Sequence, residues 1–239
     1  MGHKYKPTTK DELESVVYNE IEEQGTKADL NCIDTSLITD MGSVFAYSNF
    51  DGNISEWDVS NVTNMSSMFE GSKFNGDISK WNVSSVRNMR YMFDGSVFNQ
   101  DISNWNVSNV TNMRYMFSLS VFNQDISNWN VSNVITMRYM FSNSNFNGDI
   151  SKWDVSRVDD MCCMFSGSDF NGDISEWDVS NINNMSWMFS NSNFNRDISG
   201  WEVNDNCNTD GMYDNIPIEP RFKHGYVDMG VDLDDDDLY

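Results

Sequence analysis

The chain has 239 residues, with 37 Asp and Glu against 15 Lys and Arg, for a formal charge of −22. That balance repels phosphate backbones and anionic lipid, so nucleic acid and acidic membrane surfaces are excluded as expected partners. No apolar run approaches the ~20 residues of a membrane-spanning helix, and four cysteines with only His3 and His224 assemble no zinc-ligand set.

The N-terminal stretch MGHKYKPTTKDELESVV lacks the apolar core and cleavage site of a signal peptide, so the expected location is intracellular. A helix is predicted next. In TKDELESVVYNEIEEQ, residues 9–24, Thr9 and Glu12 form a capping-box pattern, Leu13, Val16, Val17 and Ile21 share one helical face, and Gly25 comes after them as a stop. Residues 1–27 are expected to cap the repeats that begin at residue 28.

From residue 28 to 217 the chain repeats itself. Trp57, Trp81, Trp105, Trp129, Trp153, Trp177 and Trp201 are each 24 residues apart, and Phe50 through Phe194 keep the same step. A fixed period of this size marks a stacked repeat architecture. Six full units run from 50 to 193, flanked by degraded ones at both ends. In the unit from Asn99 to Phe122, Ile102, Trp105 and Val107 suit a short strand, with Trp and Val inward. Val110, Met113, Met116 and Phe117 come next at steps of three, three and one, which suits a helical segment. The expected fold is therefore an α/β repeat. It would be an LRR-like curved solenoid with one short parallel strand and one helical segment per 24-residue unit, strands on the concave side and a helical N-terminal cap. Pro217 and Pro220 end the run, and residues 218–239, with DLDDDD near the end, are expected as an acidic disordered tail.

The unit FNGDISEWDVSNVTNMSSMF and its lead-in NEIEEQGTKADLNCIDTSLITDM resemble the BspA-like leucine-rich repeat family over about residues 6–222. That resemblance implies a non-catalytic surface protein acting in adhesion or protein binding. It also supplies cell surface or virion as the alternative location. It carries no catalytic residue and no cofactor.

Two columns of side chains invite a chemical reading and have a plainer one. Asp77, Asp101, Asp125, Asp149, Asp173 and Asp197 recur before each strand position, and Asn75 through Asn195 stand beside them. Turn-capping through backbone N–H groups is the plainer reading, and a calcium ladder the chemical one. The outward residues of the expected strand, Glu56 and Asp58 and their counterparts, vary in charge as a docking face would. Adjacent Cys162 and Cys163 are expected as small residues on a helical face, with a vicinal disulfide as the sharper alternative, and Cys32 and Cys207 lie too far apart to pair.

The sharpest candidate is a local one. Arg90-Tyr91, Arg114-Tyr115 and Arg138-Tyr139 occupy the same place in three successive units, Arg87 adds a fourth cation, and Trp187 stands in the tyrosine position further on. Stacking does not require three arginines in a row, and Arg, Tyr and Trp dominate contact hot spots. The expected function is non-catalytic binding of a protein partner through repeated surfaces. A structural or assembly component, or an acidic decoy for a basic protein, is the alternative.

Overall fold

The computed structural model describes residues 3–225. The one α-helix among them is α1 (Lys10–Gln24). Thr9 Oγ1 accepts the Glu12 N–H at 3.2 Å, and the Glu12 carboxylate turns back to accept from the N–H and hydroxyl of Thr8 at 2.7 and 2.9 Å. Orphan donors at the helix start are thereby satisfied. Gly25, at φ 85°, ends the helix and donates to the Ile21 carbonyl. Leu13 and Val17 are buried in the common core, so α1 covers one end of it. Glu20 is buried too and held ionised by Lys4 at 2.7 Å and the Tyr5 hydroxyl at 2.6 Å, which lower its carboxyl pKa.

After α1 the chain winds in 24-residue coils. In one coil Phe98, Ile102, Trp105, Val107, Val110, Met113, Met116 and Phe117 are all buried, and the same positions are buried in the coils around it. Equivalent rings stack in register from coil to coil, Phe93 on Phe117 at 5.6 Å and Phe117 on Phe141 at 5.7 Å. Within the coil Phe117 meets Phe122 at 4.2 Å. Each buried side chain contributes about 1.5–3 kcal/mol, but only once neighbouring coils close over both flanks. Stability is therefore a sum of interfaces between coils.

The α/β expectation fails inside the coils. Among the described residues no strand forms and no α-helix forms beyond α1; β pairing between coils is confined to isolated parallel bridges, such as Asn88 with Asn112 and Asn112 with Thr136. The leucine-rich-repeat geometry is thus wrong for this chain. Its cause lies in NVTNMRYMF. The N–H groups of Met113, Tyr115, Phe117 and Leu119 donate to carbonyls of the next coil, those of Thr136, Arg138, Met140 and Ser142, at 2.8–3.1 Å. The N–H groups of Met116 and Ser118 instead close turns onto Met113 and Tyr115, each at 3.2 Å. Tyr115 at φ 59° and Leu119 at φ 53° are left-handed, which interrupts any right-handed helix. The apolar step of three therefore reports chained turns closed three residues back, a spacing that one helical turn shares.

The strand expectation fails for a related reason. Trp105 N–H donates to Ile102 and Val110 N–H to Val107, at 3.1 and 2.9 Å, so both segments close turns within the coil. What crosses to the neighbouring coil here is the indole. Trp105 Nε1 donates to the Ile78 carbonyl at 3.1 Å, and each of the seven tryptophans spaced 24 residues apart makes the same bond to a residue 27 positions earlier.

On the Trp side the ties to the previous coil are side-chain bonds, the indole and the Asn109 amide on the Ser84 carbonyl at 2.7 Å, against four backbone bonds on the ladder side. Equivalent rings lie 6.5 Å apart in the Trp column, 5.6–5.8 Å in the Phe69 column and 4.5 Å in the Tyr column. The coils fan open at the tryptophans and close at the turn ladder, so the ladder side, with Tyr91, Tyr115 and Tyr139, is concave. The expected sense, with the Ile-Trp-Val segment concave, is reversed. At the far end a 3₁₀ turn, Pro220–Phe222, folds back and the Phe222 carbonyl accepts from Ile198 at 2.9 Å. Most of the acidic tail expected over 218–239 lies outside the described residues.

Candidate partner-binding surface

The acid column is turn chemistry. Asp77, Asp101, Asp125, Asp149, Asp173 and Asp197 each accept the backbone N–H of the serine two residues on, at 2.9–3.0 Å. Hydrogen bonds from that serine hold all six carboxyls below the usual aspartate range. The Asn column ties coils together: each side-chain oxygen from Asn75 to Asn171 accepts the backbone N–H of the next asparagine at 2.8–3.0 Å. Asp58, Asn82, Asn106, Asn130, Asp154 and Asp178, half of the variable face, also cap turns onto the serines two residues on, at 3.0–3.2 Å. A depression of about 540 Å³ opens beside Trp177 and is lined by Glu176, Asp178, Asp197 and Glu202, of which the two aspartates already cap turns.

The Arg–Tyr column differs in kind. Tyr91, Tyr115 and Tyr139 stack at 4.5 Å, closer than any other equivalent pair of rings from successive coils. All three are left-handed, at φ 58–59°, a conformation costing a non-glycine residue about 1 kcal/mol. The Arg90 guanidinium lies 4.6 Å over the Tyr91 ring and donates to its hydroxyl at 3.3 Å; Arg138 lies 5.5 Å over Tyr139. Arg138 alone of the three has a carboxylate within 4 Å among the described residues, Asp160 at 3.3 Å. The Nε atoms of Arg90, Arg114 and Arg138 are buried and find no acceptor among the described residues. Arg87 is exposed, and Trp187, at φ 54° and 47% exposed, lies over Gly211, a glycine at φ 61° with no room for a Cβ. The structure therefore brings Arg90, Arg114 and Arg138 together with their tyrosines, leaves Arg87 exposed three residues before Arg90 with no side-chain contact to the column among the described residues, and puts Trp187 two coils beyond Tyr139.

Between Tyr139 and Trp187 the column passes through Cys163. A hydrogen bond to that thiol, with burial, pushes the Tyr139 hydroxyl up to about 12, and burial pushes Cys163 up to about 11. Cys162 and Cys163 lie buried with sulfurs 3.4 Å apart and unbonded, on the turn ladder and not on a helix.

Four further residues break their columns in the same coils, and periodicity alone passes over them. Leu119 stands where other coils have Gly71, Gly95, Asn143, Gly167 and Asn191, keeps φ 53°, and is 61% exposed. Val97 and Val121 are exposed where other coils carry Lys73, Asn145, Asp169 and Asn193. Asp94 follows Glu70 in a column that turns to serine from Ser118 to Ser190; its Oδ1 is buried without a partner among the described residues, and burial raises its pKa. The signal that finds them is departure from the unit's consensus, column by column.

The architecture defines a tandem-repeat protein of stacked, turn-built coils with a helical cap. A family model described as Mycoplasma protein of unknown function, DUF285, matches residues 12–120, 94–145 and 119–219, and the chain belongs to that family. The BspA-like leucine-rich-repeat resemblance is corrected accordingly: neither it nor any leucine-rich-repeat family matches, and the coils lack the strand such repeats require. No curated protein and no solved structure matches the chain.

Proposed function

We propose that this is a non-catalytic binding protein that takes a protein partner on its concave ladder side, through the Arg–Tyr column of coils 90, 114 and 138. The observation that carries the reading is the trio of buried, unpartnered arginine Nε atoms. Each buried N–H without an acceptor costs about 1–3 kcal/mol, and the left-handed tyrosines add to that cost. Fold stability does not account for such a column, since Ser66-Ser67 fills the same places without it. The guanidinium of Arg90 over the Tyr91 ring, with Arg114 in the next coil, has no carboxylate within 4 Å among the described residues, which suits an acidic group on the partner. The acids elsewhere cap turns in columns, which singles out none of them as a general acid or base. Affinity capture with Arg-Tyr changed to Ser-Ser in all three coils tests the reading. Partners held by the native chain should be lost by the variant, and an unchanged partner set would sink the proposal.

A second reading, an assembly component, has its own support at the ends of the stack. Among the described residues the N–H groups of Gly211, Tyr213 and Asn215 donate to nothing, and the carbonyls of Gly42, Val44 and Ala46 accept nothing. These are the positions that join coils elsewhere, so copies set end to end would pair them. Sedimentation that shows larger species with rising concentration favours this reading, and a monomer at every concentration removes it.

A further inference from the structure

The N-terminal end of the stack holds a groove that the fold leaves open. Between α1 and the first coil lies a depression of about 340 Å³, with Val17, Ile21, Val44 and Phe50 as its apolar lining and the exposed Tyr18 beside them. Glu14, Tyr18 and Glu22 line it from α1, each four residues after the last. α1 carries six acids against one lysine, and its last turn holds no basic residue where the helix dipole favours one. Glu14 has Lys10 alone, at 3.4 Å, and Glu22 has no cation within 4 Å among the described residues. The Val44 carbonyl accepts nothing among them, whereas that of its counterpart Met68 takes the Phe45 N–H at 3.0 Å.

We infer that this groove takes an extended segment of a partner protein that reads cation, apolar, cation at alternate positions, Lys-x-Leu-x-Lys in its simplest form. The spacing selects it. Glu14 and Glu22 are eight residues apart, about 12 Å along a helix, and the outer two of five extended residues lie about 13 Å apart on one side. Two ammonium groups therefore meet the two carboxylates while the middle side chain enters the apolar depression between them, and a peptide N–H has the Val44 carbonyl to donate to. Local and overall charge act in the same direction, because a chain of −22 attracts the basic segment that the acids of α1 then hold. A second copy set at this end is repelled by the same charge. The site lies on α1, apart from the Arg–Tyr column, and takes the opposite charge, so it goes beyond the ladder-side reading and does not depend on it.

The test titrates labelled, end-blocked hexapeptides into the full chain at about 0.15 M salt, which screens distant charges. Lys-Thr-Leu-Thr-Lys-Thr should bind at least about tenfold tighter than the same peptide with serine for leucine. It should also bind tighter than a scramble that sets its lysines side by side. Glu14→Gln with Glu22→Gln should weaken the first peptide by about tenfold or more. Glu176→Gln with Glu202→Gln removes equal charge from exposed acids on the Trp side and should leave its affinity unchanged. Tyr18→Ser, at an exposed position that the fold does not need, should reduce the preference for leucine. Equal affinity for the three peptides, or equal losses from the two pairs of glutamate changes, overturns the groove and leaves only attraction to an acidic chain. Peptide binding that vanishes at concentrations where sedimentation shows larger species gives the groove to a second copy and overturns the inference as well.

Discussion

The indole Nε1 of Trp105 donates to the carbonyl of Ile78, 3.1 Å away and one coil back, and that carbonyl also accepts the Trp81 N–H at 3.1 Å. On the Trp side of the stack this side-chain bond stands where a strand ladder would. Trp105→Phe keeps the ring and deletes the donor. It should cost about 1–2 kcal/mol, from the lost bond and the smaller buried area. Denaturant unfolding reads the loss directly; an unchanged midpoint would mean the indole bond is not a tie between coils.

Asp94 is a liability at neutral pH. Burial raises its folded pKa above the unfolded value, so the folded state carries a penalty above that pKa, and the penalty fades as pH falls through it. Asp94→Ser copies Ser118 and should stabilise by about 1 kcal/mol at pH 7, with the gain shrinking as the solution is acidified. The six capped aspartates behave oppositely: their lowered pKa values contribute stability above the unfolded pKa, lost as pH falls below it toward the folded values. A melting series from pH 7 to pH 3 on both proteins separates the two effects.

Leu119→Asn should raise stability by about 0.5–1 kcal/mol, because asparagine tolerates the left-handed conformation better than leucine. Leu119→Ile should lower it, since a β-branched side chain fits φ 53° worse. Thermal melts of the pair check the ordering, and an isoleucine variant as stable as the asparagine one would contradict the turn ladder.

Cys163 should resist alkylation at pH 7 in the folded chain and react on unfolding. Its thiol is 5% exposed and pushed up to about 11, so the reactive thiolate is scarce. Labelling and then peptide mapping measure the rate, and labelling as fast as in denaturant would show that the coil opens there.

The period, the coil boundaries and the buried set from Phe98 to Phe117 were legible in the sequence, because burial needs only the residue type and the repeat. The start of α1 was legible through Thr9 and Glu12. The element type within a coil was not. A turn closed three residues back and a helical turn share a spacing, and only the sign of φ at Tyr115 and Leu119 separates them. Glycines at 71, 95 and 167 hinted at left-handed positions in the second column, while Tyr, Ser and Cys concealed the first. The Arg–Tyr column was visible as a cluster. Its unpartnered Nε atoms and the apolar strip at Val97, Leu119 and Val121 required side-chain positions and exposures.

Tyrosine footprinting of the chain with and without its captured partner tests the central claim most directly. Binding on the ladder side predicts that Tyr91, Tyr115 and Tyr139 lose reactivity in the complex while Tyr18 on α1, 64% exposed, keeps its own. Protection that spares the three column tyrosines, or falls on Tyr18 instead, would contradict it.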